Sequence, residues 1–246
     1  MCALFSSKSH HSSTPSLQLL QSDTHAHILP AIDDGPVDID QATELVRRLS
    51  GLGLQRLHAT PHVMADHYHN SRELILQRYD QLINVLAAEK VSVEIICAAE
   101  YFLDENFAIL LDKEELLPLS EKYLLVEMST VSPAPGLYDF LFEIQTHGYV
   151  PLLAHPERYV YYHQNFSLYE ELKTRGCLFQ VNLLSLGGYY GRKIKSIAWK
   201  MIKQEMVDFL GTDAHHLDHV RFIEKSIQSS KMAQLLGSYS FMNSQL

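Results

Sequence analysis

Seven stretches short enough for a strand, the last six of them apolar runs that lead into His, Glu, Asp or Asn, alternate along this chain with stretches of helical spacing. Strands that alternate with helices imply a parallel sheet with right-handed crossovers. A continuous run such as Tyr123 to Val126 suits a strand buried on both faces. When such a sheet closes, the C-terminal strand ends share one face, where barrel enzymes keep their chemistry. The spacing therefore predicts an α/β fold in a single domain, a closed barrel of seven strand–helix units with its polar strand ends gathered together. An open doubly wound sheet is the competing arrangement, weakened because no glycine fingerprint for a dinucleotide follows the first strand.

In order, Ser22 to His27 is the first strand, and Asp38 with Gln41 starts a helix through Ile39, Leu45, Val46 and Leu49 that Gly51 and Gly53 end. Leu54 to Thr60 is a strand. Asn70 with Glu73 starts a helix carrying Leu74, Ile75, Leu82, Ile83 and Leu86, a face that serves the core or a second subunit equally well. Val91 to Ala99 is a strand and Phe107 to Leu117 a short helix, before the strand at Tyr123. The rhythm repeats in the helices Leu137 to His147, Leu168 to Thr174 and Ile194 to Gln204. Between and after them come the strands Tyr149 to Ala154, Cys177 to Val181 and Val207 to Gly211. Phe222 to Leu236 is a last helix.

The first strand carries Asp23-Thr24-His25-Ala26-His27. Side chains alternate along a strand, so both rings point to one side and reach one ion. His62, Glu100, Glu127, His155, Asp213 and His215 stand at later strand ends. Eight nitrogen and oxygen ligands without a cysteine suit Mn, Fe or Zn, with Mg also accessible, and they are too many for one tetrahedral ion. Two or three ions bridged by Glu100 and Asp213 are the sensible arrangement. Ions about 3.5–4 Å apart can hold a hydroxide and clamp the attacking and leaving oxygens of a phosphoryl displacement. Arg158, three residues after His155, offers a planar fork for phosphoryl oxygens, and Arg221 offers the same from the last loop. His58, His67, His69, His147, His163, His216 and His219 do not share the strand-end placement and read as ordinary hydrogen-bonded residues.

Composition excludes several classes. The formal net charge is -9, and no Lys/Arg stripe could track a nucleic-acid backbone. No apolar run is long enough to span a bilayer. Cys2, Cys97 and Cys177 form neither a disulfide framework nor a zinc spacing, which fits a cytoplasmic protein. A cysteine-based phosphatase needs Arg at the sixth position after its nucleophile, and those positions hold Lys8, Leu103 and Leu183. Residues 1–21, rich in serine and carrying His10 and His11, read as a flexible N-terminal extension in which the apolar patch Leu17, Leu19 and Leu20 leaves room for a short docking helix, with residues 22–246 as the catalytic barrel.

The segments Asp23 to Pro30, Asp33-Asp34-Gly35, Ala59-Thr60-Pro61-His62, Ala99-Glu100, Leu124 to Glu127, Ala154 to Tyr159 and Thr212 to His215 run in the order of the PHP (polymerase and histidinol phosphatase) superfamily. His155-Pro156-Glu157-Arg158-Tyr159 and the Ile32-Asp33-Asp34-Gly35 loop resemble its capsule-biosynthesis branch of bacterial manganese-dependent protein-tyrosine phosphatases. The resemblance covers about residues 22 to 225. It implies a distorted (β/α)7 barrel and a trinuclear manganese site. It also implies dephosphorylation of a bacterial tyrosine kinase that controls exopolysaccharide assembly. His25, His27, His62, Glu100, Glu127, His155, Asp213 and His215 match the family's metal positions, Arg158 matches a phosphate-contacting arginine, and Arg221 matches more loosely. Two features depart from the pattern. The N-terminal extension precedes the usual start, and the final loop carries His219 where the branch often has an arginine, which bears on substrate preference. Histidinol phosphate or another small phosphoester is the alternative substrate. A metal-dependent amidohydrolase is disfavoured because Glu127 stands where those enzymes often place a lysine, and a non-catalytic scaffold is disfavoured by the full ligand set.

Overall fold

The structure, a computed structural model, describes residues 16–246. Its elements alternate as β1 (Ser22–Ala26), α1 (Ile39–Gly51), β2 (Arg56–Ala59), β3 (His62–Val63), α2 (Arg72–Ala88), β4 (Glu94–Cys97), β5 (Glu100–Phe102), α3 (Glu105–Asp112), β6 (Tyr123–Glu127), α4 (Leu137–Thr146), β7 (Val150–Ala154), α5 (Ser167–Thr174), β8 (Leu178–Asn182), α6 (Leu183–Gly187), α7 (Arg192–Lys203), β9 (Phe209–Gly211), α8 (Leu217–Ile227) and α9 (Ser230–Ser238). All pairings between these strands are parallel, in the orders β1-β2-β4 and β3-β5-β6-β7-β8-β9. β2 leads into β3 through Thr60-Pro61, where proline has no N–H to give a ladder. Pairing continues across the break, because Ala98 N–H donates to Ala59 O and Glu100 N–H to Pro61 O, both at 3.0 Å. The result is a curled parallel sheet with helices packed around it.

Beyond β9 the chain runs beside β1. Asp213 N–H donates to His25 O (2.7 Å) and His27 N–H to Ala214 O (3.0 Å). Asp23 clamps this seam: one carboxylate oxygen accepts Thr212 N–H (2.9 Å) and the other the Thr212 hydroxyl (2.5 Å). Burial pushes the Asp23 carboxyl up to about 6, against the hydrogen bonds from Thr212 that favour its charged form.

The strands β6 to β9 divide their side chains between two apolar regions. Leu124 and Val126 of β6 join the large core beneath the helices, while Tyr123 and Leu125 pack inside the curl with Leu152, Phe209 and Leu246. That two-sided burial explains the uninterrupted apolar sequence of β6. α1 begins where expected, with the Asp38 carboxylate accepting Gln41 N–H at 2.8 Å. In α2, Ile75, Leu82 and Leu86 are buried in the core.

Several boundaries differ from the sequence reading. Residues 16–21 are not a loose extension: Leu17 and Leu20 are buried in the core, and Leu17 N–H donates to Leu52 O at 2.7 Å. Their apolar side chains cover the end of α1, so the folded unit reaches upstream of residue 22. Cys2, His10 and His11 lie outside the described residues. Ser71, rather than Asn70, caps α2, and the Asn70 amide instead donates to Ile32 O (3.0 Å) and His62 O (2.8 Å). The third strand is split in two at Ala98-Ala99. The last helix is likewise two, because the Ser229 hydroxyl accepts Met232 N–H and starts α9 anew. α6 follows Asn182 without a linker, which left no turn signal to read. No helix of the described residues is long and apolar enough to cross a membrane.

Candidate metal centre

β1 is buried along its whole length, and the alternation of its side chains sends His25 and His27 to the same side. A chain of polar groups sets which nitrogen of His25 is free. The Asp213 carboxylate can only accept, so Asn182 Nδ2 donates to it (2.6 Å). Asn182 Oδ1 then accepts from Gln180 Nε2 (2.8 Å), which leaves Gln180 Oε1 to accept from His25 Nδ1 (2.8 Å). The Nε2 lone pair of His25 is thereby aimed at the cluster. His27 Nδ1 donates to Asp33 (2.8 Å) and His215 Nδ1 to the Asp213 carbonyl (2.9 Å), leaving their Nε2 atoms free as well. Histidine ligands held by such partners are the usual arrangement around a bound metal. Two glycines make room for this. A Cβ on Gly35 would lie 2.8 Å from His27 O, and one on Gly211 would lie 2.7 Å from Gln180 Nε2 and 2.8 Å from His25 Cβ.

The free nitrogens face one another and the carboxylates. His25 Nε2 and His27 Nε2 are 3.1 Å apart. Glu100 Oε2 lies 3.1 and 3.4 Å from them, and Asp213 Oδ1 lies 3.5 Å from both. Glu100 Oε2 and Glu127 Oε1 also approach His62 Nδ1, at 3.0 and 2.9 Å. His155 Nε2 faces Glu100 Oε1 at 3.1 Å. Asp34 Oδ1 stands 3.6 Å from His62 Nε2 and 3.3 Å from His215 Nε2. The donors fall into four overlapping groups, each with its atoms within 4.8 Å of one another.

This donor set fits divalent ions on three counts. Bonds of about 2.1 Å in a tetrahedral or octahedral shell put neighbouring donors about 3.0–3.4 Å apart, close to the spacings around His25 and His27. Two imidazole lone pairs facing each other at 3.1 Å repel unless a cation lies between them. Finally, His62 Nδ1, Glu100 Oε2 and Glu127 Oε1 are buried without a hydrogen-bond partner, a costly condition that a ligated ion relieves. Burial would raise the carboxyls of Glu100 and Asp213, but His25 beside both holds them well below the usual carboxylate range. Two of these residues also hold unusual backbone: His155 (φ 36°) and Asp213 (φ 50°) are left-handed, at a cost of about 1–3 kcal/mol each that functional sites often carry.

The cluster floors a cavity of about 410 Å³ lined also by Thr130, Arg158, Tyr190, His216 and His219. The Arg158 guanidinium lies 3.1 Å from Asp213 Oδ2 and rests on the Tyr190 ring, 4.6 Å from its centroid. Its position is set by an ion pair on one side and an aromatic face on the other.

Residues 21–233 match the profile for capsular polysaccharide synthesis, CpsB/CapC. The chain belongs to the CpsB/CapC family. CapC of Staphylococcus aureus is 31% identical over 206 residues, spanning 83% of this chain and 81% of that one. The tyrosine-protein phosphatase YwqE of Bacillus subtilis strain 168 is 30% identical over 196 residues, spanning 79% and 77%. Among solved structures, one from a study of YwqE and Streptococcus pneumoniae CpsB, described as unique metal-dependent tyrosine phosphatases, superposes with a TM-score of 0.78 at 26% identity. The match covers 90% of this chain and 96% of that one.

In this CpsB/CapC chain all eight residues singled out as ligands converge on one place, and Arg158 lines the same cavity. Arg221 does not. It is exposed, pairs with Asp218 at 2.6 Å, and lines a separate pocket beside the cavity, because its place on α8 carries it away from the ligands. Sequence reading passed over Asp34, which stands in a loop rather than at a strand end. It also passed over His216 and His219, which the start of α8 brings to the cavity wall. Asp33, Gln180 and Asn182 orient ligands; Asn182 had a signal in its place at a strand end and Asp33 in the Asp33-Asp34-Gly35 loop of the family pattern, whereas Gln180 had none. His58 behaves as expected of a structural histidine: it is buried, with Nδ1 2.9 Å from Asp23 O.

Proposed function

We propose that this protein is a metal-dependent phosphatase that removes phosphate from tyrosine on a protein substrate. The observation that carries the reading is the convergence of the whole nitrogen and oxygen donor set with Arg158 in one cavity. Family membership and the names of the relatives point the same way. We read the curled sheet as a distorted (β/α)7 barrel, a reading supported by the continuous pairing across both strand breaks and by the bonds between β1 and the chain after β9.

His25, His27, His62, Glu100, Glu127, His155, Asp213 and His215, joined by Asp34, would hold two or three divalent ions, manganese foremost. Such ions supply a nucleophile from water at neutral pH and neutralise phosphoryl charge. The protein's own part is orientation. The Asp213–Asn182–Gln180 chain and Asp33 hold the imidazoles in the ligating tautomer. Arg158 presents parallel N–H donors to phosphoryl oxygens from a guanidinium already fixed by Asp213 and Tyr190. A cavity of about 410 Å³ is of the size that takes a small ligand, here the phosphotyrosine side chain. Tyrosine phenol has a pKa of about 10, so phenolate departs with little demand on a general acid. Among the described residues no lysine lines the cavity, and Glu127 stands in its wall, which sets it apart from the amidohydrolase arrangement. The substrate we infer is a bacterial tyrosine kinase of capsule or exopolysaccharide synthesis, in keeping with the family's description, and the setting is cytoplasmic.

The test is turnover of a phosphotyrosine peptide by metal-stripped protein given Mn, Mg or Zn separately, with His155→Ala and Arg158→Ala alongside. Manganese-restored turnover lost in both variants is the expected result. Tight metal binding with turnover of histidinol phosphate but not of phosphotyrosine would overturn the proposed substrate.

A further inference from the structure

Beside the cavity lined by the candidate ligands lies a second, smaller pocket that the chemistry above does not use. It occupies about 240 Å³ between α1 and the start of α8. Its floor is apolar, made by Pro36 and Leu45, both buried, and by the partly buried Leu217. Its rim is polar and exposed, made by Gln41, Asp218 and Arg221. His215 and His216 belong to the walls of both spaces, so the pocket adjoins the cavity where the phosphoryl group would sit. Arg48 and Glu224 join α1 to α8 across this region at 3.0 Å.

Size and position together narrow what enters. The pocket is smaller than the roughly 300–1,000 Å³ typical of whole small-molecule sites, and is of the order of a single side chain. An extended chain advances about 3.3–3.6 Å per residue, so residues one or two places from a phosphotyrosine reach an adjoining hollow. The Arg221–Asp218 pair is exposed and three residues apart on one helix, a pairing weak enough for the guanidinium to turn to another acceptor.

We propose that this pocket receives an apolar side chain one or two residues from the phosphotyrosine of the substrate protein, with Arg221 donating to a backbone carbonyl of the same segment. The proposal rests on the phosphotyrosine-protein reading and adds to it a preference for sequence around the phosphorylated residue. Arg221 is then a substrate-positioning residue, not part of the phosphoryl site.

The experiment uses the full-length, manganese-loaded protein and phosphotyrosine peptides in an alanine background. Leucine or aspartate is placed at each of the two positions on either side. Burial of one leucine side chain corresponds to about a tenfold or larger gain in kcat/KM at the position that reaches the pocket, expressed in KM. Gln41→Trp fills the mouth from α1 while leaving its backbone N–H to the Asp38 cap, and it should reduce the leucine preference to within about twofold. Arg221→Trp covers the same mouth from α8 and repeats the test if the first variant does not fold. No leucine preference at any position, or a preference that both tryptophan variants retain, overturns the pocket. Turnover of para-nitrophenyl phosphate, too small to reach it, reads the phosphatase separately. Hydrolysis of that compound without a leucine preference removes the pocket alone, whereas no hydrolysis of it or of any peptide removes the phosphatase reading and the pocket with it.

Discussion

Stripping the protein of divalent ions and returning them one at a time tests the metal centre without reference to catalysis. Four carboxylates, from Asp34, Glu100, Glu127 and Asp213, crowd one end of the sheet, and Arg158 is the guanidinium among them. An ion bound only by the folded state and present at a hundred times its dissociation constant adds about 2.7 kcal/mol of stability. For a domain of this size each kcal/mol raises the melting temperature by about 2–4 °C. Each ion is therefore worth about 5–11 °C, and two ions about twice that if they bind independently. The assay is thermal unfolding of chelator-treated protein by calorimetry, followed by titration with Mn, Zn, Fe or Mg. Glu100 contacts His25, His27, His62 and His155 and belongs to two of the donor groups, so Glu100→Gln should remove most of the metal-dependent rise. A melting temperature that none of the four metals moves would refute the reasoning. So would a rise that Glu100→Gln leaves whole, since the bridging role assigned to that carboxylate would then be wrong.

Arg158→Lys keeps the charge but loses the fork and the flat contact with Tyr190. The expected result is a fall in kcat/KM on phosphotyrosine peptide of about 10²–10³ with the metal-dependent rise in melting temperature retained, measured by steady-state kinetics and calorimetry on the same preparation. Burial lowers His58 from its ordinary 6.5 to about 4, so the unfolded chain takes up its proton first. The stability tied to neutral His58 is then full above pH 6.5 and lost as pH falls to about 4, by about 3 kcal/mol; urea unfolding across that window should be less pH-dependent in His58→Gln. Leu17→Ala should cost about 2–5 kcal/mol by equilibrium unfolding, because this side chain is wholly buried; a change near zero would mean that residues 16–21 do not dock as described.

Most of the strand-end constellation was legible because parallel strands point their C-terminal ends the same way, so a repeated run-then-ligand pattern is already a statement about space. The Asp38 cap, the two-residue spacing of His25 and His27 and the apolar continuity of β6 are local facts, and they hold in the fold. What was not legible depends on how loops turn. Asp33 and Asp34 are neighbours of one type, yet one orients His27 and the other faces His62 and His215. No spacing rule separates them. Arg221 fails for the same reason. Its sequence distance from His215 is short, but the intervening turn of α8 faces it outward, while the same turn brings His219 in.

Asn182 shows why a strand-end position need not be a ligand. It ends β8 in the same way that Glu127 ends β6, and a carboxylate there would have extended the pattern. A further anion beside Asp213 would face it at the 2.6 Å now spanned by a donated hydrogen bond. The amide avoids that repulsion and transmits orientation, because the carboxylate at one end of the chain dictates which atom of each amide faces onward. The direction so fixed reaches His25 through Gln180, and the left-handed backbone at Asp213 holds the carboxylate where the chain begins. The residue at the end of β8 thus acts on the candidate metal centre at one remove, by deciding which nitrogen of His25 is left free for an ion.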